Sequence, residues 1–166
     1  MKKTLKPEHV TAIIDSREQL PYTLEPLKRE RGTLTTGDYS VKGLEDFVAV
    51  ERKSLMDFLA CVGRERERFD REMQRLLAYE TRALIIEAHW HQLLAGDWKR
   101  SKVTPQAAVG SALGWIAKGI PVIMAGERFS ADQFCARMLF IAARRRYREM
   151  LPFLEEIADG QGAKAG

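Results

Sequence analysis

Phe47-Val48-Ala49-Val50-Glu51-Arg52-Lys53 is the stretch on which the reading of this chain turns. An apolar, β-branched run passes directly into charged residues, which predicts a strand over 47–52. Side chains two apart on a strand share a face. Val48, Val50 and Arg52 then lie on one face, and Phe47, Ala49, Glu51 and Lys53 on the other. For Glu51 and Lys53 alone, a solvated strand face is the plainer alternative. Their apolar flanks argue for a strand end that opens into a cleft.

Working outward, Thr35-Thr36-Gly37 is a turn signal followed by Asp38 and a short extended run, Tyr39 to Val41. If that run pairs with 47–52 as a hairpin across the Gly43-Leu44-Glu45-Asp46 turn, Asp38 comes to lie beside Glu51. Downstream, Ser54 reads as the N-cap of a helix over 55–62, with Asp57 three residues on and Gly63 at its end. The result is a D…ExK pattern of two carboxylates and an ammonium. Hydrolysis of a phosphodiester needs a cation to polarise the phosphate and acidify a water. Magnesium prefers oxygen ligands and keeps several waters, so one or two carboxylates suffice. Asp38 and Glu51 are the natural pair, the main-chain carbonyl of Arg52 is a candidate further ligand, and Lys53 is expected to orient or help deprotonate the attacking water and to stabilise developing charge. Taken singly, Asp38 is more often a turn residue, and Asp57 serves as well for a helix cap as for a site.

The rest of the chain surrounds this core with alternating elements. Val10 to Ile14 predicts a first strand ending at Asp15, and 31–36 a further extended segment. A helix follows over 66–79, then a buried strand over 82–87, a helix from Thr104-Pro105 to Gly119, a strand over 121–124, and a long helix capped by Ser130 and reaching about Arg148. Strands alternating with helices after an antiparallel hairpin give an α/β fold, with a mixed central sheet flanked by helices. The 166 residues suit one domain.

Composition narrows the class further. Apolar residues make up 45% and charged residues 30%, a globular balance. The longest apolar run, Met138 to Ala143, is six residues, against the roughly 20 a membrane-spanning helix needs. No signal-peptide core follows the basic start, and Cys61 and Cys135 lack zinc-ligand spacing. A cytoplasmic protein with buried thiols is expected. The net charge of +4 permits an anionic partner. Arginines 64, 66, 68, 71 and 75 are interleaved with acids and read mainly as i,i+4 pairs, leaving Arg64 and Arg66 as candidate phosphate contacts. Arg144-Arg145-Arg146 reads equally as a phosphate contact or as the solvated face of a dimer helix whose apolar side is Phe134, Met138 and Ile141. Lys99-Arg100-Ser101-Lys102 beside Trp98 is an exposed basic loop, or less readily a contact for single-stranded DNA. His89 and His91 lack the further ligands zinc would require.

Gly37-Asp38, Glu51-Arg52-Lys53 and Asp57 together resemble the GD…ERKxxxD signature of the XPF-type structure-specific endonucleases, within the PD-(D/E)xK group. Ile14-Asp15-Ser16-Arg17-Glu18 is similar to that family's DxRE segment at the end of its first strand. The resemblance implies a restriction-endonuclease-like core over 8–148, leaving a short C-terminal extension over 149–166; its tail, Gly160 to Gly166, is expected to be disordered as a polar chain end. It implies that Asp38 and Glu51 bind Mg2+ or Mn2+, that Lys53 is catalytic, and that Asp15, Arg52 and Asp57 support the site, with Arg17 contributing to DNA binding. The expected activity is hydrolysis of branched DNA (3′-flaps, forks or nicked junctions) in repair or recombination, by a homodimer or with a helper DNA-binding protein. Family members commonly carry helix-hairpin-helix modules after this domain, and the 18 residues after Arg148 are too few for a pair of them. Grip on DNA then falls to the arginines, to dimerisation or to a partner. A non-catalytic DNA-binding subunit, or a junction-processing nuclease of a phage or mobile element, are the alternative readings.

Overall fold

The computed structural model describes residues 4–162. Six strands form one mixed sheet in the order β2-β1-β3-β4-β5-β6. They are β1 (Thr11–Asp15), β2 (Lys28–Gly32), β3 (Tyr39–Val41), β4 (Val48–Ser54), β5 (Thr81–Glu87) and β6 (Val122–Met124). The centre is the expected hairpin: β3 runs antiparallel to both β1 and β4, with Tyr39 opposite Val50. β5 then adds parallel to β4, pairing Glu51 with Leu84 and Lys53 with Ile86.

Helices cover both faces. On one side α1 (Leu55–Val62), α2 (Arg66–Leu76), α3 (Trp90–Ala95) and α4 (Pro105–Ala117) bury Phe58, Phe69, Leu76, Leu93 and Trp115 against Ala49, Leu84 and Ile86. On the other, α5 (Arg128–Gly162) lays Ala131, Cys135, Leu139 and Ala142 over Val48, Val50 and Ile85. The small residues in that stripe let the helix sit close to the sheet. Both cysteines are free and buried, as expected. Among the described residues no helix is long and apolar enough to cross a membrane.

Several elements differ from the sequence expectation. The extended segment expected over 31–36 lies earlier, as β2, and pairs parallel with β1. Its sequence, Lys-Arg-Glu-Arg-Gly, has almost no buried side chain to set a period; charge on an edge strand also discourages further pairing. The six-residue α3 was too short to show a helical period. The last helix begins before Ser130, because Gly126, at φ 77°, already turns the chain and the Ala131 N–H bonds to the Glu127 carbonyl. That helix also continues past Arg148, through Pro152. The disorder expected over 160–166 does not hold for 160–162, which continue α5, and 163–166 lie outside the described residues.

The segment between β1 and β2 has no regular structure, yet it is anchored. Tyr22, Leu24 and Leu27 are buried in the α5-side core. The Asp132 carboxylate, from α5, accepts from the N–H groups of Thr23 and Leu24, at 2.8 Å each. Gly37 makes the turn that leads into β3. At φ 81° it occupies the left-handed region, and a Cβ there would lie 3.0 Å from the Val50 carbonyl oxygen. Gly37→Ala is expected to cost about 2 kcal/mol or more, from left-handed strain on top of the backbone clash. Urea unfolding checks this; an unchanged midpoint would mean that the turn relaxes without loss.

Candidate active site

The sheet brings Asp15, Asp38, Glu51 and Lys53 together although they come from three different strands or strand ends. β1 ends at Asp15, Asp38 precedes β3, and β4 carries Glu51 and Lys53. Backbone bonds lock the three together: Asp15 N–H to the Asp38 carbonyl at 2.8 Å, and Asp38 N–H to the Val50 carbonyl at 2.9 Å. The residues open on a cleft of about 440 Å3 that is also lined by Arg17, Arg52 and Asp57. The alternation read from β4 holds, since Val48 and Val50 belong to one core and Ala49 to the other.

Within the cleft, the Arg52 N–H donates to Asp38 Oδ2 at 2.8 Å, and Lys53 Nζ donates to Glu51 Oε1 at 2.5 Å. Each carboxylate thus keeps one oxygen free of these bonds. Burial, and then the charge of Glu51, push the Asp38 carboxyl up to about 7. Glu51 is 7% exposed, and burial also raises its pKa against the opposing pull of Lys53. For Lys53, burial would lower the pKa, but the charges of Glu51 and Asp38 outweigh it and hold it above the ordinary lysine value. It is therefore an ammonium at neutral pH, packed 5.4 Å from the Phe69 ring centre. A protonated amine can orient a water or meet developing charge, but cannot accept a proton.

The remaining expected residues sort themselves by partner. Asp15 is buried and fully engaged: Arg17 Nε donates to it at 2.7 Å, and the Leu34 N–H at 2.8 Å. Burial would raise its pKa, but these bonds win and hold it below the usual carboxylate value. Asp15 therefore fastens Arg17 and the 33–35 turn to the mouth of the cleft. Arg52 turns its side chain to the opposite face of the sheet, where its Nε and Nη2 reach the two Glu87 oxygens at 2.9 Å each. Asp57 lines the cleft while its N–H bonds to Ser54 Oγ and its Oδ2 accepts from that hydroxyl at 2.6 Å, so it is the helix cap as well as a cleft residue. Arg64 lies outside the cleft, along a neighbouring groove. Arg66 lies further off, between α2 and α4, 4.0 Å from Asp70. Arg145 and Arg146 close on Glu80 and Glu149, and Arg144 lies over Phe140. That run is engaged within the protein.

Sequence reasoning missed the contribution of α2. Arg68, Glu72 and Arg75 line the cleft; their i, i+4, i+7 spacing puts them along one edge of the helix. The signal was present: Glu72 adjoins the apolar stripe Phe69, Met73 and Leu76, where a charge is out of place. One Glu72 carboxylate oxygen is buried and has no hydrogen-bond partner.

This donor set fits a hard divalent cation. Two carboxylates resist ionising, first because burial strips them of water and then because of neighbouring carboxylate charge, and a third has an orphaned oxygen. A dication reverses each of these penalties. No three His, Cys, Asp or Glu side chains among the described residues form a ready-made cage.

Residues 14–128 match the ERCC4 domain, which spans the cleft from the end of β1 to the start of α5. The chain belongs to the ERCC4 domain family. Its fold is that of the XPF nuclease domain, a restriction-endonuclease-like mixed sheet flanked by helices. The structure is similar to XPF from Aeropyrum pernix, with a TM-score of 0.65 at 19% identity over 90% of this chain and 73% of that one. It is also similar to XPF from Aeropyrum pernix in complex with DNA, with a TM-score of 0.65 at 20% identity over 82% of this chain and 66% of that one. At these identities the two structures speak for the fold. No curated protein matches the chain.

Proposed function

We propose that this ERCC4 domain is a Mg2+- or Mn2+-dependent endodeoxyribonuclease that hydrolyses one strand of branched DNA, in repair or recombination. The observation that carries the reading is the convergence of Asp38, Glu51 and Lys53 in one cleft of an ERCC4 fold. That one of the similar XPF structures holds DNA supports the same partner here.

Asp38 and Glu51 would hold the cation, with the Arg52 carbonyl as a candidate further ligand. When bound, the cation supplies positive charge for the phosphate oxygens and acidity for an attacking water. Lys53 stays protonated against Glu51 and meets the charge that develops on the phosphate. Arg17, Arg68 and Arg75 at the rim neutralise flanking phosphates. Asp15 holds Arg17 in place, and Asp57 closes one wall. The exposed Phe134 (44%) and Ile141 (53%) on α5 supply an apolar face for a second copy of the chain.

Purified protein given 3′-flap, fork, four-way-junction and plain duplex substrates is expected to nick the branched ones, only with Mg2+ or Mn2+, and to spare the duplex. No cleavage with either metal, or equal cleavage in EDTA, would sink the reading. Solution mass measured alongside tests the dimer.

A further inference from the structure

A second groove of about 940 Å3 opens beside the cleft and shares Lys53, Asp57 and Arg68 with it. It runs along the end of α1 and the start of α2 towards the loop over 97–104. Its cations are Lys53, Arg64, Arg68, Arg100 and Lys102. Of these, Lys53 is paired with Glu51, and Arg64 and Arg68 both face Glu65, while the Asp57 carboxylate accepts from Ser54. Arg100 and Lys102 are exposed and form no ion pair among the described residues.

The floor is apolar. Met56 is 43% exposed there, with Leu59 and Val103 beside it. The loop that carries Arg100 and Lys102 is held in place: Trp98 Nε1 donates to the Val103 carbonyl at 2.9 Å, and the Val103 N–H to Ser101 Oγ at 3.2 Å. Trp98 packs against the core rather than lining the groove, so it is the prop of the loop and not a stacking platform.

An apolar floor under a cationic rim fits a polyanion that also exposes apolar faces. Single-stranded DNA has that character, because its unpaired bases are free to lie on a floor while the phosphates meet the rim. A duplex hides its base faces and offers such a groove only phosphates. Methionine adapts to bases of any sequence. We propose that this groove binds single-stranded DNA continuing from the strand held in the cleft. The direction of travel is from Lys53 past Arg68 and Arg64 to Arg100 and Lys102. The proposal rests on the nuclease reading for its occupant and on the groove's continuity with the cleft for its course.

The test is fluorescence anisotropy with labelled oligothymidylate and a labelled duplex, titrated over a range of salt in EDTA, for wild type and for R100A/K102A. Single strands release roughly 0.7 counterion per phosphate contact. Loss of two contacts should therefore make the salt slope shallower by about 1.4 and weaken oligothymidylate binding about tenfold, with a smaller effect on duplex. Lys28→Ala, on edge strand β2, removes equal charge per site outside the groove and should change neither. The proposal is overturned if R100A/K102A keeps the wild-type slope for oligothymidylate, if single strand and duplex weaken equally, or if wild type does not bind oligothymidylate. Because binding is read without metal, the nuclease reading fails separately, through absence of metal-dependent cleavage by wild type.

Discussion

Asp38→Asn is expected to lower metal-dependent cleavage about 10³-fold while making the metal-free protein more stable above neutral pH. The loss follows from the cation: it contributes several kcal/mol of charge stabilisation, at 1.36 kcal/mol per decade of rate. The gain follows from the carboxyl itself, whose pKa rises from 3.8 to about 7 through burial and the nearby Glu51 charge. A carboxyl with a raised folded-state pKa contributes stability that is fully present below its unfolded value. That stability is lost as pH rises through the folded value. In the metal-free wild type the loss therefore runs from about pH 4 to about pH 7. The full shift corresponds to about 4 kcal/mol, and local relaxation trims this to about 2 kcal/mol. Asparagine keeps an oxygen for the Arg52 N–H and has no charge to desolvate. Thermal melts in EDTA should place the variant about 4–8 °C above wild type at about pH 8. The two should converge near pH 4, where wild-type Asp38 is protonated. Mn2+ should raise the wild-type melting temperature and leave the variant unmoved. A variant that cleaves at the wild-type rate would remove Asp38 from the site, and parallel pH profiles would remove the electrostatic argument.

What was legible in the sequence was whatever is periodic or local. The two-residue alternation of Ala49, Glu51 and Lys53 placed the carboxylate and the amine on one face of β4, and the Gly37 turn placed Asp38 beside them. Ser54 and Gly63 bound α1 at the expected residues. The unread parts depend on partners far away in the chain. β2 carries no apolar period because it is an edge held by backbone pairing with β1 and by polar contacts, such as Arg31 to the Asp15 and Glu18 carbonyls and Glu30 to Lys42. Arg68, Glu72 and Arg75 looked like one more charge-laced helix edge, and only the packing of α2 over β4 turns that edge towards Glu51. Arg52 stood between two cleft residues, yet the pleat sends its side chain through the sheet to Glu87, 35 positions on. Nothing in the neighbourhood of Glu87 marked it, because its partners come from the β1–β2 segment, β4 and α5.

That buried cluster carries the second large expectation. Glu87 accepts both bonds from Arg52, another from Tyr22 Oη at 2.9 Å, and a longer one from Arg128 at 3.4 Å. The Arg52 and Glu87 side chains are each 11% exposed. Burial raises the Glu87 pKa on its own, but the bonds from Arg52 and Tyr22 outweigh it and hold the carboxylate below its ordinary value. Glu87→Gln leaves the buried Arg52 guanidinium with only the Glu18 carboxylate, 3.9 Å away, as counter-charge, which is expected to cost about 3 kcal/mol. Removing both charges should cost less than the sum of the single changes, because the buried guanidinium that lost its closest partner is gone as well. The coupling between Glu87→Gln and Arg52→Met should then reach about 2 kcal/mol in urea unfolding. The cluster also bears on the cleft, since the Arg52 N–H orients Asp38 from the other side of the same residue. If the guanidinium pins that stretch of β4, Glu87→Gln lowers cleavage even at temperatures where the variant is fully folded. The double variant should regain stability without regaining the rate. Additive free energies would show the two residues to be independent. A fully active Glu87→Gln protein would show that backbone pairing with β3 and β5 suffices to position Asp38.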